Sequence, residues 1–160
     1  MVQIPEQVRR FVEEQRLGFV ATVNLDGSPN VSPKGTVTIW DEEHLVFADL
    51  ASPTTVRNLE HDPRSEVCVV DPVSRKGWRF RGQAEVLHLG DRFREGVRFF
   101  EERQLPDAPA RIRSIVLVGV DALAPLISPA YSTGLTEEEV RRRSWSRFQK
   151  VYGQEGLGPK

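Results

Sequence analysis

The chain has one cysteine and one methionine in 160 residues, and almost no net charge, since 22 lysines and arginines against 23 aspartates and glutamates leave −1. A single thiol, Cys68, closes no intramolecular disulfide, so no oxidising compartment is implied. The balanced charge argues against a general binder of phosphate backbones, which would carry a net basic footprint, but leaves room for a local cationic pocket holding one small anion. Apolar runs are short, and none nears the ~18 residues of a membrane span. The opening Met1-Val2-Gln3-Ile4-Pro5-Glu6 lacks the basic start and apolar stretch of a secretory leader. The expectation is a cytoplasmic protein with neither membrane nor nucleic acid as partner. Common enzyme signatures are missing as well: there is no nucleophile elbow, no Walker loop and no His-Glu-x-x-His helix. His44, His61 and His88 stand without a second histidine or cysteine at ligand spacing, so no metal site is expected. Cys68, inside Glu66-Val67-Cys68-Val69-Val70, is expected in the core as a small apolar residue.

What is present suffices for one domain over 1–160; a chain of this length buries roughly 70% of its unfolded surface. Val8, Phe11 and Val12 predict a short amphipathic helix that stops near Arg16-Leu17-Gly18. Strands are then expected over 19–23, across 30–40, and over 45–48, with Asn24-Leu25-Asp26-Gly27 as a hairpin turn. Ser52-Pro53-Thr54-Thr55-Val56-Arg57-Asn58-Leu59 reads as a helix with Ser52 as N-cap and Pro53 at its first position, closed by Asp62-Pro63. A strand around Val67 and Val69 follows. Gly77 to Leu87 then alternates cleanly, with Trp78, Phe80, Gly82, Ala84 and Val86 on one face and Arg79, Arg81, Gln83 and Glu85 on the other. A second amphipathic helix from about Asp91 carries Phe93, Val97 and Phe100 and ends at Pro106 and Pro109; an exposed stripe there would favour a plain interaction protein. A strand over 112–120 comes next. Thr136-Glu137-Glu138-Glu139 is a capping box that opens a C-terminal helix, whose run Arg141 to Arg147 is expected as a solvated charged face. About six strands joined mostly by hairpins predict a mainly β fold, a small antiparallel barrel with helices at both ends.

Two segments carry chemical interest. Ser32-Pro33-Lys34-Gly35-Thr36 places proline and glycine inside a strand region, the mark of an edge, a bulge or a close backbone approach, and Lys34 adds a positive charge. Ser52-Pro53-Thr54-Thr55 crowds three hydroxyls onto a helix start, where free N–H groups and the helix dipole favour a phosphate-sized anion, with Arg57 and Asn58 one turn on.

In order and spacing, these segments resemble the pyridoxamine 5'-phosphate oxidase-like, FMN-binding split-barrel family. The resemblance runs from about Leu17 to Val86, through Asp26-Gly27-Ser28-Pro29, Pro33-Lys34, Leu45 to Asp49, Ser52 to Leu59, Asp62-Pro63-Arg64 and Trp78 to Val86. It implies a six-stranded split β-barrel, a homodimer with FMN at each subunit junction, and a flavin-dependent oxidoreductase acting on a small molecule. The alternatives are a non-catalytic flavin-binding or sensing protein, or an F420-dependent reductase; haem is a further cofactor of related barrels. Carried over by position, the cofactor-binding residues are Ser32, Pro33, Lys34, Gly35 and Thr36 along the ring, and Asp49, Ser52, Thr54, Thr55 and Asn58 at the phosphate. Trp78 and Arg81 come from the strand beside the site, and Trp145 is the candidate reaching into the partner's pocket. No side chain suggests itself as a general acid or base. The oxidase proper carries Ser-Arg-Lys where this chain has Ser52-Pro53-Thr54, and its C-terminal arginine motif is not recognisable in Leu135–Lys160. Both departures argue against oxidation of pyridoxamine phosphate itself.

Overall fold

The computed structural model describes residues 1–103 and 111–153. Helix α1 (Glu6–Gln15) precedes strands β1 (Gly18–Val23), β2 (Pro29–Lys34), β3 (Thr38–Ile39) and β4 (His44–Asp49). Helix α2 (Pro53–His61) leads to the long hairpin of β5 (Arg64–Asp71) and β6 (Lys76–Leu87). Helix α3 (Asp91–Glu102), strand β7 (Ser114–Ile127) and helix α4 (Glu137–Tyr152) complete the order. The strands make one antiparallel seven-stranded sheet, β2-β1-β5-β6-β7-β4-β3, curled into a half-barrel. Among the described residues, no helix is long and apolar enough to cross a membrane.

Several local expectations hold. Gly27, with φ of +82°, takes the left-handed position in the Asn24–Ser28 turn. Thr136 and Glu139 exchange both hydrogen bonds of a capping box at the start of α4. The inner residues of β6 are buried as the alternation requires, and Phe80 joins Val20, Val67, Val116 and Val118 inside the half-barrel. Each such fully buried side chain contributes about 1.5–3 kcal/mol.

Other expectations are corrected. The expected 30–40 strand breaks at Gly35–Val37, so seven strands form instead of six. The cause is Thr36: its hydroxyl accepts from the Ala48 N–H and donates to the Ala48 carbonyl, both at 3.1 Å, replacing a stretch of backbone ladder. Helix α1 ends on Arg16, itself in the left-handed region at φ +56°, and Gly18 already belongs to β1. Strand β7 runs seven residues beyond Val120, to Ile127, held by pairing with β6 on both sides of a register shift between Arg81 and Gly82. Cys68 is not in the core but faces the outer side of the sheet, opposite Phe19 and Arg79, where burial pushes its thiol pKa up. The α3 stripe is covered in part: Phe100 is fully buried against Val46, Ala48, Ile115 and Leu117 with Phe93 packed beside them, while Val97 and one side of Phe93 line an open surface groove. Pro106 and Pro109 lie outside the described residues.

Candidate functional site

Strand β2 lies at one end of the sheet, paired only with β1. Its odd positions Pro29, Val31 and Pro33 are exposed, whereas Asn30, Ser32 and Lys34 turn inward toward α2. This inward row is polar, and Lys34 is only 5% exposed.

Helix α2 starts where the sequence says it should, with Ser52 flanking it and Pro53 in the first turn, yet the expected cap is absent. The Ser52 hydroxyl accepts a hydrogen bond from Lys34 Nζ at 2.8 Å instead of one from the helix. The same ammonium donates to Ser32 Oγ and lies 5.9 Å from the centre of the Phe47 ring. The Ser52 N–H donates to Asp49 Oδ1 at 2.7 Å, and the buried Asp49 is the carboxylate nearest the lysine in effect. Burial lowers the Lys34 pKa from the usual lysine value, and the charge of Asp49 offsets part of that shift. The N–H groups of Thr54 and Thr55 find no acceptor among the described residues. A desolvated ammonium therefore stands at the positive end of a helix whose first donors are unpaired. Like charges meet there, and a bound anion would relieve both.

One turn further along α2, Asn58 is nearly inaccessible. Its Nδ2 donates to Thr22 Oγ1 at 3.0 Å and to Asn24 Oδ1 at 2.9 Å, while Asn30 Nδ2 also donates to Thr22 Oγ1 at 3.0 Å. This network, absent from the sequence-derived set except for Asn58, ties α2 to β1 and β2 and fixes the distance between lysine and helix. Its signal in the sequence is an unusual density of Asn and Thr in a strand pair whose inner face should be apolar. Asn58→Ala is expected to lower unfolding free energy by about 1–3 kcal/mol, because the half-buried Asn24 Oδ1 loses its donor and the buried Thr22 Oγ1 keeps only that of Asn30. Urea denaturation of the cofactor-free protein checks this.

The structure thus brings Ser32, Lys34, Asp49 and Ser52 together, with Thr54 and Thr55 in the adjoining turn. Gly35 and Pro33 are exposed beside them, and Thr36 is occupied with Ala48. A cavity of about 150 Å³ beyond Gly35, Thr36 and Val37 is closed by Glu13 and Arg16 at the end of α1 and by Arg103, and Lys34 and the start of α2 do not line it. Trp78 lies in the same cross-strand row as Lys34, through Val69 and Gly18, three strands away, or roughly 14 Å along the sheet. Arg81 points to the opposite face, where it lines a shallow outer cleft with Glu66 and Arg79. Neither meets the lysine within one subunit.

Residues 4–121 match the family model described as pyridoxamine 5'-phosphate oxidase. The chain belongs to this family. Among solved structures, HupZ of Group A Streptococcus is 25% identical, with a TM-score of 0.68 over 78% of this chain and 95% of that one. An F420 reductase is 26% identical, with a TM-score of 0.59 over 76% of this chain and 98% of that one. An FMN-binding protein from Syntrophomonas wolfei shares the fold at 14% identity and a TM-score of 0.63, over 75% and 84% of the two chains. No curated protein matches in sequence.

Proposed function

We propose that this member of the family is a homodimeric oxidoreductase that binds FMN between β2 and the start of α2 and acts on a small molecule other than pyridoxamine phosphate. One observation carries the proposal: the buried Lys34 ammonium is held at the uncapped N-terminus of α2, a place that needs an anion. The residues fit a phosphate. Thr54 and Thr55 offer backbone N–H donors, Ser52 and Thr54 offer hydroxyls, and Lys34 offers the charge. Pro33-Lys34-Gly35 passes beside this point with an exposed backbone, suited to the edge of a flat ring. The 150 Å³ cavity beside Gly35 faces α1 and is smaller than the ~300–1,000 Å³ of small-molecule clefts, and on this reading a second subunit encloses the ring.

Bound flavin would supply the electron transfer; the chain's part is to hold, orient and charge-stabilise it. Lys34, whose positive charge Asp49 offsets only in part, favours whichever state of the cofactor is more anionic. Asp49 is engaged by the Ser52 N–H, and the other carboxylate nearby, Glu13, lines the cavity beside Gly35.

The test is purification without added cofactor. A yellow protein that releases FMN on unfolding is expected; a colourless one showing no thermal shift with FMN would overturn the proposal. The F420 reductase at 26% identity favours a second reading, a deazaflavin at the same place, and the mass of the released ligand separates the two. Thr54→Ala should weaken FMN binding about 2- to 10-fold by titration, the worth of one neutral hydrogen bond.

A further inference from the structure

The C-terminal helix is docked by charge on one side only. Arg141 reaches Asp71 at 3.0 Å and Glu137 at 3.1 Å, and Glu137 also takes Lys76 at 2.6 Å, so α4 is fastened to the β5–β6 hairpin through fully paired ions. Tyr131, just before the helix, donates to the Ser74 carbonyl at 2.7 Å and completes the clamp.

A groove of about 520 Å³ beside this clamp has the opposite character. Arg143 and Arg147, one helical turn apart on α4, line it, and Arg75 of the hairpin lines it too. None of the three has a carboxylate within ion-pair distance among the described residues. Like charges at this helical spacing repel, and the protein as a whole is slightly acidic. The surroundings of the arginines are apolar and aromatic: Pro72, Phe148 and Tyr152 share the groove, with the last two rings stacked 6.0 Å apart and Tyr152 70% exposed. Arg75 also holds a left-handed backbone, φ +57°, which an L side chain adopts at a cost.

We propose that this groove is a second ligand site, separate from the lysine at α2, for a phosphorylated ring compound of mononucleotide size. Guanidinium forks bind phosphate oxygens in pairs, and three converging on one space suit a dianion better than a single carboxylate. The exposed Tyr152 face extends the Phe148 stack and takes a flat ring. The volume lies within the range of small-molecule clefts. Arg142, Arg143 and Arg147 are all exposed, as the solvated charged face expected for Arg141 to Arg147 from sequence requires, but only the last two border an apolar groove, and there they have no ion-pair partner among the described residues.

The probe is AMP, titrated by calorimetry into the full-length protein with and without excess FMN, alongside adenosine, inorganic phosphate and an oligouridylate of eight nucleotides. AMP should bind at least tenfold tighter than adenosine or phosphate, and FMN should not displace it. Arg143→Ala/Arg147→Ala should weaken AMP at least tenfold while FMN binding is retained. Arg75→Gly relieves the backbone, so its melting temperature should hold or rise while AMP affinity still falls. The proposal is overturned by absence of AMP binding, by unchanged affinity in these variants, by competition from FMN, which would merge the two sites, or by an oligonucleotide binding tenfold tighter than AMP.

Discussion

Lys34→Met is expected to weaken FMN binding about 10- to 150-fold while leaving the cofactor-free protein as stable as before or more so. The two directions follow from one arrangement. A 5%-exposed ammonium facing a helix N-terminus has lost its water and meets a partial charge of its own sign; relief of both offsets the lost attraction to Asp49, so removing it costs the empty protein little. Methionine keeps the length of the stem against Phe47. With phosphate present, the same substitution forfeits a charge-assisted hydrogen bond of about 1.5–3 kcal/mol. A lysine that merely braces the strand would show the reverse, a lower melting temperature with unchanged FMN affinity, and that result would refute the assignment.

The same residue fixes the alkaline behaviour. Burial lowers the Lys34 pKa in the folded chain relative to the unfolded one, so between the two values the unfolded state binds more protons and this group's contribution to stability rises with pH. A phosphate beside the amine holds the proton on. FMN binding then takes up a proton above the free-state pKa, and affinity falls as pH climbs through it. Titrations between about pH 7 and pH 10 should show this limb in the wild type and not in Lys34→Met.

Gly82→Ala is expected to lower unfolding free energy by about 2–4 kcal/mol, a large share of the ~5–15 kcal/mol that holds an ordinary domain. The pairing of β6 with β7 shifts register between Arg81 and Gly82, and a Cβ at Gly82 would run into the backbone carbonyl of Gly119. A side chain could swing aside; a carbonyl in the neighbouring strand moves only by breaking the ladder. Urea denaturation measures the loss, and an unchanged midpoint would show that the bulge can be reshaped without penalty.

Gly82 also shows where reading the chain alone stops. Period-two alternation from Trp78 to Val86 places it correctly on the inner face, but a bulge belongs to two strands, and the partner is not legible in either one. The signals that did carry over are local ones: the Asp26-Gly27 turn, the Pro53 helix start, the Thr136–Glu139 box, the β6 alternation. Those that did not depend on distant partners. Strand periodicity groups Asn30, Ser32 and Lys34 on one face, but only α2 packed against that face reveals that the polar row points inward. Ser52 sits at the N-cap position as its residue type suggests, and a lysine 18 positions away takes its hydroxyl. Cys68 sits in an apolar run because β5 is buried on one face and half-buried on the other, so composition could not tell inside from outside. Trp78 and Arg81 stand on opposite faces of β6, as the alternation says, and what the matching motif alone did not show is that Trp78 lies three strands away from Lys34.

Strand β2 presents its free margin beyond the last strand of the sheet, a row that in most proteins would invite a neighbouring molecule to extend it. Two of its three outward-turned residues are prolines, Pro29 and Pro33, which have no amide hydrogen to offer. Fibril-like growth along that border is thereby starved of donors. An edge so blunted leaves the lysine-bearing strand uncovered by copies of this chain that would add strand to strand.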